Sequence, residues 1–302
     1  MTGRREDSGV AALIASPANP RLRAAAALRD RRDRETRGRI VIDGAREIER
    51  ALDAGLAIEE AFVPVELLRR DAPPQAGAVI AALRAAGATL FGVEPAAMRR
   101  LAFGERSGEP VAVAVPPAAT LASIALPGDA LVVVLEGIEK PGNLGAVVRS
   151  ADGAGADAVL VAGGPADPWN PNAIRASLGT VLTMPIAVAP TAEVVAWLAW
   201  TGLRPFAARV DGALPYTAAD FAGPTALVLG SEAHGLSEAW RGAGITAVRL
   251  PMHGRADSLN VAAAAAVLLY EARRQRDAPS GRIEERGVEG GPAGDRDGDA
   301  SP

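Results

Sequence analysis

"LEGIEKPGNLGAVVRSADGAG", residues 135–155, continues the apolar run "ALVVVL" of residues 130–135. An unbroken apolar run of this length reads as a strand of a parallel sheet covered on both faces. The residues after the run read as a turn and a helix, which completes the strand–turn–helix unit of an α/β fold. A plain turn of this kind needs one glycine and a cap. This one holds Glu136, Pro141, Gly142, Asn143 and Gly145, and the helix then carries Arg149 within the apolar series Val147, Val148 and Ala151. An amide, a guanidinium and a carboxylate therefore gather at one strand end, where α/β sheets bind ligands.

Working outward, strands and helices alternate on both sides. Downstream, "ADAVLVAGG", "MPIAVAP", "LRPFAARV", "TALVLGSE" and "ITAVRLPM" read as strands. "NPNAIRASLGTV" and "TAEVVAWLAW" read as helices, and "SLNVAAAAAVLLYEARRQR", residues 258–276, as a long terminal helix. Upstream, residues 20–38 read as one basic helix. "RIVIDG", "IEEAFVPV", "TLFGV" and "EPVAVAVP" then alternate as strands with three helices, two of them closed near Gly55 and Gly87. The expected domains are an N-terminal α/β unit at 1–116, a Pro- and Ala-rich linker at 117–128, a larger α/β unit at 129–276 and a disordered acidic tail at 277–302.

Composition limits the chemistry. The chain has 302 residues, 49% of them hydrophobic, enough for two cores. The absence of cysteine excludes disulfides and thiolate metal sites. Only His234 and His253 are available, so a histidine-built metal site or a Ser-His-Asp triad is poorly supplied and no metal is expected. With no apolar stretch of about 20 residues and no signal-peptide core at the N-terminus, a cytoplasmic protein without a membrane partner is expected. The net charge is −4, and the tail from Asp277 accounts for it, with seven acidic against three basic residues. Residues 17–39 hold eight arginines against three acids. That local excess suits a phosphate-bearing partner, with Arg21, Arg29 and Arg37 as candidate RNA contacts; a solvated helix laced by Asp30, Asp33 and Glu35 is the plainer account.

Two more loops join strands to helices in the larger unit. "LGSEAHGLS" spans residues 229–237 and "LPMHGRADSLNVAAAAAVLLYE" residues 250–271. Taken singly, Gly230, Gly235 and Gly254 suit turns, Asn143 suits a cap, and Asp257 or Ser258 suits the N-cap of the last helix. Arg149 resists such an account. A guanidinium among packed residues needs a partner. Glu136 or Glu232 would make an ion pair, and a phosphate or a reacting hydroxyl would make a site. Asn260, one turn into an alanine-rich helix where asparagine is a poor helix former, also points back at the loops. A Rossmann site is disfavoured, because "EKPGNLG" is not a G-x-G-x-x-G turn, and no P-loop is present.

With the three loops in order, the chain resembles the SpoU-type RNA ribose 2′-O-methyltransferases of the SPOUT superfamily. "PGNLGAVVRSADGAGADAVLV" matches their first motif through Asn143 and Arg149, "LVLGSEAHGLS" the second through Glu232 and Gly235, and "LPMHGRADSLNVAAAAAVLLYEA" the third through Ser258 and Asn260. "NPNAIRASLGTVLTMPI" matches the intervening segment through Arg175, Ser177 and Gly179. The first 116 residues resemble more loosely the accessory RNA-binding domain of the ribosomal-RNA branch, with "FGERSGEPVAVAV" a partial version of its end.

The resemblance implies an α/β fold whose parallel sheet carries a deep trefoil knot, with a smaller N-terminal α/β RNA-binding domain. It implies S-adenosylmethionine as methyl donor, held by Leu229, Gly230, Glu232, Gly235, Leu250, Met252, Ser258 and Leu259, and it implies a homodimer. Catalysis would fall to Arg149, Asn143, Glu232, Ser258 and Asn260, with Arg149 also touching RNA. The family's arginine is proposed as a general base. Because arginine keeps its proton, holding a phosphate and stabilising an alkoxide is the alternative role, with Asn143 and Glu232 orienting the guanidinium. The expected substrate is 23S ribosomal RNA. Transfer RNA, or a non-catalytic RNA-binding homologue, are the other readings.

Overall fold

A computed structural model describes residues 10–69, 73–102, 107–118 and 120–278. The tail from 279 onward, for which disorder is expected, lies outside the described residues, as does most of "FGERSG".

The N-terminal unit runs β1 (Ala12–Ile14), α1 (Pro20–Ala27), α2 (Arg31–Arg37), β2 (Ile40–Asp43), α3 (Ala45–Asp53), β3 (Ile58–Pro64), α4 (Pro74–Ala85), β4 (Thr89–Val93), α5 (Pro95–Leu101) and β5 (Val111–Ala114). Its strands form one mixed sheet in the order β1-β4-β3-β5-β2, with β5 antiparallel to both of its neighbours. The expected basic helix of residues 20–38 is two helices. Asp30 breaks it by accepting the Arg32 N–H at 2.8 Å as the N-cap of α2.

The second unit runs β6 (Leu131–Glu136), α6 (Pro141–Gly153), β7 (Ala158–Ala162), α7 (Pro171–Ala176), β8 (Ile186–Ala189), α8 (Thr191–Thr201), β9 (Arg204–Ala208), β10 (Leu214–Pro215), β11 (Thr225–Leu229), β12 (Thr246–Arg249) and α9 (Val261–Asp277). All seven strands are parallel, in the order β10-β12-β9-β11-β6-β7-β8. Both faces are covered, as the unbroken apolar runs require. Leu131, Val133 and Leu135 of β6 pack towards α6 and α9, while Val132 and Val134 pack towards α8. The expected linker is partly built in, because Leu121, Ile124 and Leu126 pack against the α8-side core.

α6 lies against α7 closely enough that glycine is required at the crossing. A Cβ at Gly145 would run into the Ala173 carbonyl oxygen and stand 2.8 Å from the Ala176 Cβ. The two units are joined by polar contacts, one of them through a buried arginine. Arg34 is buried, donates to both the Leu28 and Arg29 carbonyls at 2.8 Å, and pairs with Asp167 of the second unit at 2.5 Å. Arg31 donates to the Pro165 carbonyl at 2.7 Å. Arg50 donates to the carbonyl of Leu178, a residue held in the left-handed region at φ +53°.

Candidate functional site

The three loops converge at the C-terminal ends of β6, β11 and β12. Pro141 opens α6, where its missing N–H costs nothing. Asn143 is therefore the third residue of the helix and not its cap. Its side-chain amide is free to leave the helix and donates to Glu232 Oε1 at 2.7 Å. Asn260 Nδ2 donates to the same oxygen at 2.6 Å and lies 3.5 Å from Asn143 Oδ1. Lys140 Nζ reaches Glu232 Oε2 at 3.1 Å. One carboxylate thus gathers a donor from each of the other two loops and a lysine besides.

Asn260 stands elsewhere than expected. The helix begins at Val261, and Asn260 is its N-cap, with Oδ1 accepting the Ala262 N–H at 2.9 Å. Neither Asp257 nor Ser258 caps it. Placing asparagine just outside the helix removes the propensity conflict seen in the sequence.

The second loop is fixed by its own backbone. Ser231 and Gly235 exchange N–H···O bonds at 3.2 and 2.9 Å, and Gly235 turns the chain at φ +65°. Gly230 lies directly against this closure. A Cβ there would overlap the Gly235 carbonyl carbon and stand 2.5 Å from the Leu236 nitrogen. Glu136, at the end of β6, secures the loop exit. Buried, it accepts from Ser237 N at 2.7 Å, Ser237 Oγ at 2.8 Å and Thr191 Oγ1 at 3.0 Å.

Beside this cluster opens a cavity of about 500 Å³. Leu229, Gly230, Glu232, Gly235, Leu250, Met252, Ser258 and Leu259 all line it. So do Arg209, Val210 and Asp211 after β9, and Arg241, none of which the motifs single out. Their loop carries no glycine-rich signature, and only the sheet order, which sets β9 beside β11, brings it to the site.

Arg149 differs most from expectation. It is exposed, and among the described residues it makes no hydrogen bond or ion pair. Both expected partners are engaged elsewhere, Glu136 by Ser237 and Thr191, Glu232 by Asn143, Asn260 and Lys140. Six residues of α-helix separate Arg149 from Asn143, about 9 Å along the axis and a third of a turn around it, so the two cannot share a face. Ser258 lies in the cavity wall and outside the amide–carboxylate cluster.

The other matched positions divide. Ser177 is buried and donates to the Ile174 carbonyl at 2.9 Å, and Gly179, at φ +86°, packs against Glu47 of α3; both are structural. Arg175 is half-buried with no polar partner among the described residues. The basic segment of residues 17–39 is largely spent within the molecule. Arg21 pairs with Glu60 and lies over the Phe91 ring, Arg29 donates to the Leu101 and Ala102 carbonyls, and Arg37 pairs with Asp33 at 3.3 Å. Arg23 and Arg32 are the arginines of this segment whose guanidinium groups have no polar partner among the described residues.

Among the described residues, no helix is long and apolar enough to cross a membrane, and no cluster of three His, Asp or Glu side chains forms a metal site.

Comparison with known proteins finds relatives for both units. The SpoU rRNA Methylase family matches residues 130–270, and the MRM3-like substrate binding domain matches residues 19–112. The 23S rRNA (adenosine(1067)-2′-O)-methyltransferase of Streptomyces laurentii is 32% identical over 247 residues, 80% of this chain and 88% of that protein. The 23S rRNA (uridine(2479)-2′-O)-methyltransferase of Streptomyces viridochromogenes is 39% identical over 183 residues, 58% of this chain and 64% of that protein. The chain thus spans less than two thirds of that relative, and the same holds for others it matches. Among solved structures, the SpoU methyltransferase AviRb from Streptomyces viridochromogenes in complex with the cofactor AdoMet is 31% identical, with a TM-score of 0.78 over 86% of this chain and 99% of that one. The chain belongs to the SpoU rRNA methylase family.

Proposed function

We propose that the protein methylates a ribose 2′-hydroxyl of 23S ribosomal RNA, with S-adenosylmethionine as donor. The observation that carries this reading is the convergence of Asn143, Glu232 and Asn260, one from each loop, beside a cavity of drug-molecule size. The cavity suits the donor on its own terms. Leu229, Leu250 and Leu259 offer an apolar wall for a flat base, and the close backbone at Gly230 leaves main-chain groups to bind its edge. The donor supplies an electrophilic methyl group on a sulfonium. The protein supplies position, which governs the rate of an in-line displacement. Glu232, held by two amides and a lysine, fixes the loops around the cavity. Arg149, without a polar partner among the described residues and always protonated, holds an RNA phosphate and steadies the negative charge developing on the ribose oxygen.

Ribosomal RNA is favoured over transfer RNA by the N-terminal unit, which matches a substrate-binding domain, and by the names of the relatives. Its RNA contacts are assigned to Arg23 and Arg32 with Arg149, while Arg21, Arg29 and Arg37 serve the fold. A homodimer through α6 and α9 is supported by the exposed Val267 and Tyr270 and by an exposed Arg149 with no polar partner among the described residues. A trefoil knot is supported by the path after β12, which returns past β9 and β11 to set α9 against α6. The cytoplasm is the compartment that offers this substrate.

The test is incubation with S-adenosylmethionine and separate pools of unmodified ribosomal and transfer RNA, followed by nucleoside mass spectrometry. A new 2′-O-methylnucleoside from the ribosomal pool is expected. Product from the transfer RNA pool alone would reassign the substrate. No product from either pool, with no donor binding, would favour the non-catalytic RNA-binding reading.

A further inference from the structure

Besides Ala208 at the end of β9, four residues of the cavity wall lie outside the three motif loops, and three of them are charged. Arg209, Val210 and Asp211 come after β9, and Arg241 after the second loop. The β9 loop is held rigidly. The Arg209 N–H donates to the Val248 carbonyl at 2.8 Å, and Arg249 donates to the Gly212 and Ala213 carbonyls at 2.8 and 2.5 Å. Gly212 leaves no gap, since a Cβ there would stand 2.7 Å from the Val248 carbonyl carbon.

Within this frame the charges have different tasks. The Arg209 side chain is 12% exposed, and its Nε and Nη2 both bind the Asp211 carboxylate, at 2.8 and 2.6 Å. Its fork is occupied, so it orients Asp211 and offers little to a ligand. The Asp211 side chain is 54% exposed and that of Arg241 47%, with Arg241 Nη1 3.5 Å from the carboxylate. Arg209 also holds the Asp211 carboxyl below the usual carboxylate range, so it is ionised at neutral pH. A fixed anion and a cation, the latter also paired through Nε with Glu238 at 2.9 Å and keeping Nη2 for a ligand, therefore stand side by side at the rim of a cavity whose wall elsewhere includes the apolar Leu229, Leu250, Met252 and Leu259.

A matching ligand has a flat apolar body and, at its other end, a neighbouring ammonium and carboxylate. We propose that Asp211 and Arg241 form the subsite for the amino-acid end of the methyl donor, Asp211 taking its ammonium and Arg241 its carboxylate. This rests on the methyltransferase reading and assigns that site two specificity residues. A subsite for the ribose diol alone would use Asp211 and leave Arg241 without a role.

Calorimetric titration with S-adenosylhomocysteine, which carries the amino-acid end, and 5′-methylthioadenosine, which lacks it, tests the assignment. Asp211→Asn and Arg241→Gln are each expected to weaken S-adenosylhomocysteine roughly tenfold and to change methylthioadenosine by less than about twofold. Arg241 is half-exposed, so Arg241→Gln should melt with the parent and decides the matter alone; Asp211→Asn also strips the charge facing the largely buried Arg209, so its two nucleoside affinities are compared with each other at equal folded fraction. Equal loss for both nucleosides would place these residues at the adenosine or in the fold and overturn the assignment. Unchanged binding of S-adenosylhomocysteine would overturn it too. A parent protein that binds neither nucleoside would overturn the donor reading itself, whatever the variants do.

Discussion

Replacing Glu232 by glutamine asks whether the amide–carboxylate cluster assembles the site. In the parent, one carboxylate accepts from Asn143, Asn260 and Lys140 at 2.7, 2.6 and 3.1 Å. Glutamine keeps the shape and removes the charge. One oxygen remains to accept; turned toward Asn143 and Asn260 it keeps both amide bonds without their charge, and the new NH₂ faces the Lys140 ammonium, so one contact is lost and two are weakened. Hydrogen bonds to a charged group contribute roughly 1.5–3 kcal/mol each when shielded. The Glu232 side chain is one-third exposed, which brings each nearer to about 1 kcal/mol. A loss of about 2 kcal/mol of loop positioning corresponds to a fall of roughly thirtyfold in turnover. The fold should hardly respond, because Asn260 still caps α9 through Ala262; a shift in Tm of no more than about 4 °C is expected. The assay is ribose methylation at saturating donor and RNA, with Tm measured alongside. Turnover within threefold of the parent would refute the argument that this carboxylate organises the site.

Three other substitutions separate stability from chemistry. Arg149→Ala should leave Tm and donor affinity unchanged, since the side chain has no partner among the described residues, while abolishing methyl transfer; normal turnover would remove Arg149 from the site. Gly145→Ala forces a methyl group into the Ala173 carbonyl and should cost about 1–3 kcal/mol, read as a lowered denaturation midpoint at unchanged m-value. Arg34→Met removes the guanidinium that pairs with Asp167 and should cost about 3–5 kcal/mol, whereas adding Asp167→Leu should recover part of it in a double-mutant cycle.

Much of the second unit could be read directly from residues. Its strands are unbroken apolar runs, and the loops between them carry glycine and amides at motif spacing, so both elements and site loops emerge from local pattern. What escaped is angular or long-range. The apolar neighbours of Arg149 place it in a packed helix, yet only the position of the sheet decides that it lies on the open side. Asp30 looks like one member of a lattice of helix ion pairs until it is seen to cap. Arg34 and Asp167 are 133 residues apart, and no spacing rule joins them. Asp211 and Arg241 reach the cavity through the crossover order of the sheet, which a string of residues does not display.

Asn260 limits how this site can drift over evolutionary time. Its oxygen starts α9 and its nitrogen binds Glu232, so one side chain answers to both folding and chemistry. Aspartate would start the helix equally well but would set a second negative charge against Glu232. Serine would start it and fall short of the carboxylate. Glutamine could reach the carboxylate but is a poor cap. Among the twenty amino acids only asparagine satisfies both demands, and any lineage that loses it must rebuild the loop and the helix start together.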